Sequence, residues 1–233
     1  MPPTATAPAV ETDCALFDGI TPGEQARILA DATLRSYAPQ QIVMHQGARA
    51  ERFFLLASGC ARFFVVTEDG KKLPLLWTKP GDIIGGMGVL LHQRSYLLNC
   101  ETIRPCEIYV WPRETMRKHL SRVPRLLDNG MQIASRYLER LLSAYVSLTC
   151  DSAKKRLADV LIGYAQAIGE HGPEGILIDA TNEEFAHAAH ITKYTTCRLL
   201  AEWQKNGAIA KRRGKILLCD LDHFRQPTGK SSR

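Results

Sequence analysis

Three regimes of hydrophobic patterning follow one another along the chain. Between residues 13 and 35 apolar positions recur at helical spacing through Ala26, Ile28, Leu29 and Ala32, and Thr21 and Pro22 offer a cap and a first-turn proline. This predicts a helix. From Ser36 to about Trp111 the period shortens: apolar or alternating runs (QQIVMHQ, RFFLLAS, ARFFVVTE, KLPLLWT, SYLLNCE, CEIYVW) are separated by turn signals at Gly47, Ser58-Gly59, Glu68-Asp69-Gly70, Pro80-Gly81-Asp82 and Arg104-Pro105. A meander of many short strands, closed as a barrel or roll, is the expected outcome.

After Pro124 the pattern changes again. Leu127, Met131, Ala134, Leu138, Leu141, Tyr145 and Leu148 alternate spacings of four and three over three heptads. A seam of that kind faces a second helix, so these seven positions are the expected dimer interface. Gly130 weakens the first turn of this helix. Asp151 and Ser152 then cap a new helix with Leu157, Val160, Leu161, Tyr164 and Ala165 as its inner stripe, and a domain boundary is placed there.

The stretch EEFAHAAHITKYTTCRLLAEW, residues 183–203, carries two histidines, three threonines and a cysteine in a helical pattern. Thr181 with Glu184 three residues on forms a capping box for a short helix that turns Phe185, Ala188 and Ala189 inward. His190 breaks the register, and Thr192 starts a second helix that runs to Asn206 and stops at Gly207. Helix, short turn, helix is the spacing of a DNA-binding helix-turn-helix. In the second helix Thr196, Leu199, Leu200 and Trp203 form the buried face, which leaves Lys193, Tyr194, Thr195, Cys197 and Arg198 at the end where side chains reach base edges. The following AIAKRRGKILLCD is expected to be a two-stranded wing whose Arg213 and Lys215 meet phosphates, as Thr181 and Thr192 do at the helix starts.

Charge sharpens this picture. From Thr181 onward there are ten Lys/Arg and five Asp/Glu, a net +5 of the chain's formal +6, so the basic charge lies in the C-terminal segment. Polyanion binding fits that asymmetry. No run of about 20 apolar residues exists for a membrane span, and the start MPPTATAPAVET lacks the basic and apolar parts of a secretory signal. A soluble cytoplasmic protein with no membrane partner is expected. Seven cysteines at 14, 60, 100, 106, 150, 197 and 219 form no C-x-x-C pair, so free thiols are the expectation. His187 and His190 lack the carboxylate or thiolate that would complete a zinc set.

The order of parts resembles the cyclic-AMP receptor protein/FNR (Crp/Fnr) family of bacterial transcription regulators, over about Ala15 to Phe224. The marks are EDGKKLPLLWTKPGDIIGGMGVLL, the long helix, and TNEEFAHAAHITKYTTCRLLAEWQKNGAI ahead of a wing. The resemblance implies an α+β protein: an N-terminal double-stranded β-helix (jelly-roll) sensor domain at residues 13–122, a dimerisation helix at 123–150 and a winged helix-turn-helix domain at 151–226, between disordered tails at 1–12 and 227–233. It also implies a homodimer, an effector held between roll and long helix, double-stranded promoter DNA as target, and RNA polymerase as a further partner.

Departures from the family pattern bear on the ligand. Gly86 stands where cyclic-AMP binders have the ribose-holding Glu next to Gly85, while the phosphate-binding pair is kept as Arg94-Ser95. The long-helix positions that resemble the adenine-contacting Thr-Ser pair are Leu141 and Leu142, with Leu138 one turn before. The expected pocket is apolar and the expected effector is not cyclic AMP. Haem sensing with His92, Met87 or Cys100 as ligands is one alternative, and thiol sensing by Cys100 or Cys106 is another. An iron–sulfur cluster is disfavoured because Cys14 is the only N-terminal cysteine. A cupin-like metalloenzyme would need clustered ligands, whereas His45 and His92 are the only histidines of the strand-rich stretch 36–111, so no catalytic residue is assigned. At the DNA surface, Lys193 and Tyr194 replace the family's usual Arg and Glu.

Overall fold

The computed structural model describes residues 14–70, 72–90, 94–212 and 214–225. A single 3-10 turn, Ala15–Phe17, precedes α1 (Pro22–Ala30), whose Thr21 hydroxyl accepts from the Glu24 amide in a full capping box. The helix ends at Ala30, and residues expected to prolong it instead form β1 (Thr33–Tyr37). The correction has a tertiary cause. β1 pairs along its whole length with a strand far along the chain, Thr33 opposite Val110 and Tyr37 opposite Cys106, and such pairing overrides local helical spacing.

The remaining strands fall where the alternating runs lie: β2 (Ile42–Met44), β3 (Arg52–Ser58), β4 (Ala61–Val66), β5 (Lys72–Thr78), the short β6 (Ile83–Ile84), then α2 (Gly86–Leu90), β7 (Asn99–Thr102) and β8 (Cys106–Pro112). They make two antiparallel four-stranded sheets, β1-β8-β3-β6 and β2-β7-β4-β5. One face of the first sheet packs Phe53, Leu55 and Trp111 against the helical residues Ile28, Met116 and Leu126, with the Trp111 indole donating to the Ile28 carbonyl at 2.7 Å. The other gathers Met44, Phe54, Leu56, Phe63, Cys100 and Ile108. On the β4–β7 face the Glu101 carboxylate, 2 % exposed, is held by Arg62 at 2.7 Å and Lys72 at 2.5 Å.

α3 (Arg113–Arg122) leads into the 27-residue α4 (Pro124–Cys150). Its buried positions are Leu126, Asn129, Gly130 and Ile133, a stripe offset from the heptad seam. Asn129 donates to the Leu16 and Asp18 carbonyls at 3.0 and 2.8 Å. Gly130 is a close approach rather than a weak point, since a Cβ there would lie 2.9 Å from Leu90 Cδ2. The seam itself is left uncovered: Leu127, Met131, Leu138, Tyr145 and Leu148 are all exposed, while Ala134 and Leu141 are half-buried.

The chain divides into two units between Leu141 and Leu142, inside α4. The second contains α5 (Ala153–Ile168), capped by Ser152, then β9 (Glu170–Gly172), β10 (Gly175–Ile178), α6 (Asn182–Ala188), α7 (Lys193–Lys205), β11 (Ile209–Arg212), β12 (Lys215–Leu218) and α8 (Asp222–Arg225). The expected two-stranded wing is part of a four-stranded antiparallel sheet, β11-β12-β10-β9. β9 and β10 were not foreseen, because a three-residue polar strand, EHG, carries no periodic signal. Leu157, Ala158, Leu161, Tyr164 and Phe185 build the core of this unit with Leu199, Leu200 and Trp203.

Candidate functional site

In the first unit a cavity of about 540 Å³ opens between the roll and α4. The roll supplies Met44 on β2, Phe63 on β4, Leu76 on β5 and Leu98, and α2 supplies the glycine-rich wall of Gly86, Met87 and Gly88. α4 closes it with Met131, Ala134, Ser135, Tyr137, Leu138 and Leu141. Of the residues singled out in the sequence, Gly85, Gly86, Met87, Leu138 and Leu141 line this cavity, and so do the seam positions Met131 and Ala134. Among the described lining residues there is no charged side chain.

Three expected pocket residues lie elsewhere. Arg94 and Ser95 do not line the cavity: Ser95 bridges Arg49 and the Arg94 carbonyl accepts from the Ala50 amide at 2.9 Å, which ties the segment to the 48–50 loop. Arg94 thereby faces a separate open groove together with Arg49, Glu51, Arg113, Glu114 and Arg117. Leu142 is 56 % exposed and outside the cavity, because one residue on a helix turns about 100° away from Leu141.

Tyr137 is a polar member of the wall, together with Tyr96 and Ser135. Its phenol donates to the Ile83 carbonyl oxygen at 3.0 Å, and burial, with the Asp82 carboxylate nearby, pushes its pKa well above the ordinary tyrosine value. The group is a neutral donor at any physiological pH. Asp82 is itself pushed upward by burial, against the Lys79 amide and the Arg140 and Arg136 charges that hold it down.

The alternative ligand residues fare differently. His92 lies outside the described residues, and Cys100 is fully buried in the roll core and does not line the cavity. Burial pushes the Cys60 thiol up to about 12 and moves Cys100 and Cys106 in the same direction. Thiolate is the reactive and ligating form, so these sulfurs are poor ligands and poor redox triggers. Among the described residues no group of three or more His, Cys, Asp and Glu is placed to hold a metal ion.

In the second unit the two caps form as the sequence implies. The Thr181 hydroxyl accepts from the Glu184 amide at 3.2 Å and donates to the Glu184 carboxylate at 3.0 Å, and the Thr192 hydroxyl accepts from the Thr195 amide at 3.1 Å. Both hydroxyls are therefore occupied by the helix ends. Thr196, Leu199, Leu200 and Trp203 are buried, whereas Lys193, Tyr194 and Arg198 are exposed, Tyr194 by 79 %, and Thr195 is half-buried. Cys197 accepts from Asn182 at 3.4 Å and so joins α6 to α7. Phe185, Ala186 and Ala189 are the inward residues of α6 and its turn, Ala188 being half-buried. Acidic neighbours lie beside the basic surface: Glu183 is 3.6 Å from Lys193, Asp179 is 3.1 Å from Lys215 and Glu174 is 2.8 Å from Arg212. Arg213 lies outside the described residues.

Two contacts that sequence reasoning did not find fix the turn between α6 and α7. Arg156 on α5 donates to the Ala189 carbonyl at 3.0 Å and to the His190 carbonyl at 3.5 Å. His190 adopts a left-handed backbone, φ 50°, which explains why the register breaks there. In the sequence the spot is marked by the break of register at His190 and by the helix start at Thr192.

Residues 34–122 match the model of the cyclic nucleotide-binding domain, and residues 155–226 match that of the Crp-like helix-turn-helix domain. The Anaerobic regulatory protein of Bacillus subtilis (strain 168) is 26% identical over 197 residues, covering 83% of each chain. The Fumarate and nitrate reduction regulatory protein of Escherichia coli (strain K12) is 24% identical over 195 residues, 81% of this chain and 76% of that protein. The chain belongs to the Crp/Fnr family. It is a Crp/Fnr-type transcription regulator with a DNA-binding helix-turn-helix and a cyclic-nucleotide-binding-like sensor domain. The same fold is seen in CLP of Xanthomonas campestris, described as a c-di-GMP-responsive global regulator, at TM-score 0.73 and 21% identity, covering 84% of this chain and 98% of that one. In this Crp/Fnr chain no helix among the described residues is long and apolar enough to cross a membrane.

Proposed function

We propose that the chain acts as a cytoplasmic homodimer whose affinity for promoter DNA, and through it RNA polymerase activity, is set by an effector in the cavity under α4, and that this effector is not cyclic AMP. The uncharged lining of that cavity carries the proposal. A cyclic phosphate entering there would lose its hydration and meet no cation among the described lining residues, since Arg94 faces another groove. The ribose would also find Gly86 in place of a carboxylate.

Dimerisation rests on the uncovered seam, where Leu138 and Tyr145 are 58 % and 66 % exposed in the single chain. A row of large apolar side chains at heptad spacing is stable in water only when another helix covers it. Base reading is assigned to Lys193, Tyr194, Thr195 and Arg198, and phosphate contact to Arg213 and Lys215. Thr181 and Thr192 contribute through the amides of the helix starts that they cap, rather than through free hydroxyls. The Glu183, Asp179 and Glu174 pairs are surface pairs worth about 0–1 kcal/mol each, so DNA phosphates can displace them.

The test is a selection of binding sites from random duplex, followed by isotherms with and without cyclic AMP and by sedimentation of the free protein. A two-fold symmetric operator, a dimer, and no cyclic-AMP response are expected. Calorimetry showing micromolar cyclic-AMP binding with a matching rise in operator affinity overturns the effector assignment.

A further inference from the structure

The cavity's chemistry narrows the effector beyond the exclusion of cyclic AMP. Its described lining is mostly hydrocarbon and thioether: Phe63, Leu76, Ile83 and Leu98 from the roll, Leu138 and Leu141 from α4. Three of the chain's five methionines, Met44, Met87 and Met131, are in the wall. Methionine's unbranched, polarizable side chain moulds itself to irregular apolar surfaces.

Polar capacity is small and specific. The Tyr96 hydroxyl accepts from the Arg52 amide at 3.1 Å and donates to the Arg52 carbonyl at 3.0 Å, so it is occupied in both senses. Tyr137 donates its hydroxyl hydrogen to the Ile83 carbonyl and keeps only accepting capacity. Ser135 adds one hydroxyl at the α4 edge. A ligand carboxylate, phosphate or ammonium placed there would be desolvated without a partner among these groups, a cost that neutral ligands avoid. The volume, about 540 Å³, lies within the usual range for small-molecule sites.

We propose that the cavity takes an uncharged, predominantly hydrocarbon small molecule bearing at most one or two hydroxyl or carbonyl groups, with a ligand hydroxyl donating to the Tyr137 oxygen. This rests on the reading of the cavity as the effector site.

Two dyes with one aromatic skeleton test the class on the full chain. N-Phenyl-1-naphthylamine is neutral, and 8-anilinonaphthalene-1-sulfonate carries a permanent anion. Wild-type protein is expected to bind the neutral dye saturably, one per chain, with blue-shifted emission and at least about tenfold tighter than the sulfonate. Leu76 is half-buried on β5 and lines the cavity, so Leu76→Trp should fill it and Leu76→Arg should bring in a cation. The first should weaken neutral-dye binding about tenfold or more, and the second should reverse the preference toward the sulfonate. Circular dichroism and melting curves confirm that each variant folds, with Phe63→Trp as a second filling variant.

Equal or tighter sulfonate binding by the wild type overturns the proposal, as does neutral-dye binding that survives in both filling variants. Binding as expected, but with operator affinity unmoved by saturating neutral dye and by the filling variants, leaves the ligand class standing and sinks the regulatory reading instead.

Discussion

The Tyr137 phenol on α4 donates to the Ile83 carbonyl on β6 at 3.0 Å, and the same ring meets Phe63 edge-on at a centroid distance of 6.0 Å. One side chain thus pins the long helix to the roll and forms part of the cavity wall. Tyr137→Phe keeps the ring contact and removes the bond, leaving the Ile83 carbonyl without that donor. A loss of about 1–2 kcal/mol in urea unfolding is expected. An unchanged midpoint would show that the bond adds nothing to stability.

Leu138 and Tyr145 lie seven residues apart on the exposed seam of α4. Changing both to Glu sets like charges against one another across the proposed two-helix interface. Sedimentation should then show monomers, and affinity for a two-fold operator should fall by roughly 10²–10⁴-fold, the factor that linked half-site binding provides. A dimer of undiminished strength would place the interface elsewhere.

His190 holds a left-handed backbone in the turn that Arg156 braces. Desolvation of its ring, then the Arg156 charge and His187, push its pKa below the ordinary value of 6.5. For a base lowered in the folded state, the unfolded chain binds more protons at acid pH. Stability of the DNA-binding unit is therefore full above the unfolded pKa and declines as pH falls below 6.5 toward the folded value. His190→Asn, which tolerates the same backbone, should flatten that acid limb, whereas His190→Val should lower stability at every pH. Thermal melts across the range decide between them, and a slope unchanged in the Asn variant assigns the effect to another group.

How much of this was legible in the sequence varied with the range of the interactions. The helix-turn-helix could be read because its signals are local: Thr181 with Glu184, Thr192 at a helix start, and a buried face at Thr196, Leu199, Leu200 and Trp203. The seam of α4 was legible for the same reason. Its roll-facing stripe was hidden, since Asn129 and Gly130 do not look like core positions until the Leu16 and Asp18 carbonyls and Leu90 are placed against them. β1 was misread as helix because its partner is β8, far along the chain. Arg94 was misplaced because its direction depends on pairing with the 48–50 loop, which no motif encodes.

Arg198 is exposed on α7, on the side away from buried Leu199, Leu200 and Trp203, so it can enter a major groove without disturbing the fold. Its guanidinium is close enough to the Glu202 carboxylate to help lower that group's pKa, behind the stronger hydrogen bond from Lys154 at 2.5 Å. Glu202 is thus already held by Lys154, and Arg198 can leave it for a guanine edge, a bidentate contact worth roughly 1–3 kcal/mol of discrimination. Lys215, 3.1 Å from Asp179 at the wing, is the residue proposed to meet a phosphate instead. Arg198→Ala should weaken binding to the selected operator and leave binding to random duplex largely intact. Lys215→Ala should weaken both alike and lower the slope of log affinity against log salt by about 1. Isotherms at several salt concentrations on both duplexes separate the roles. Equal loss on the two DNAs for Arg198→Ala, with helix content unchanged, would move the reading role to Lys193 and Tyr194.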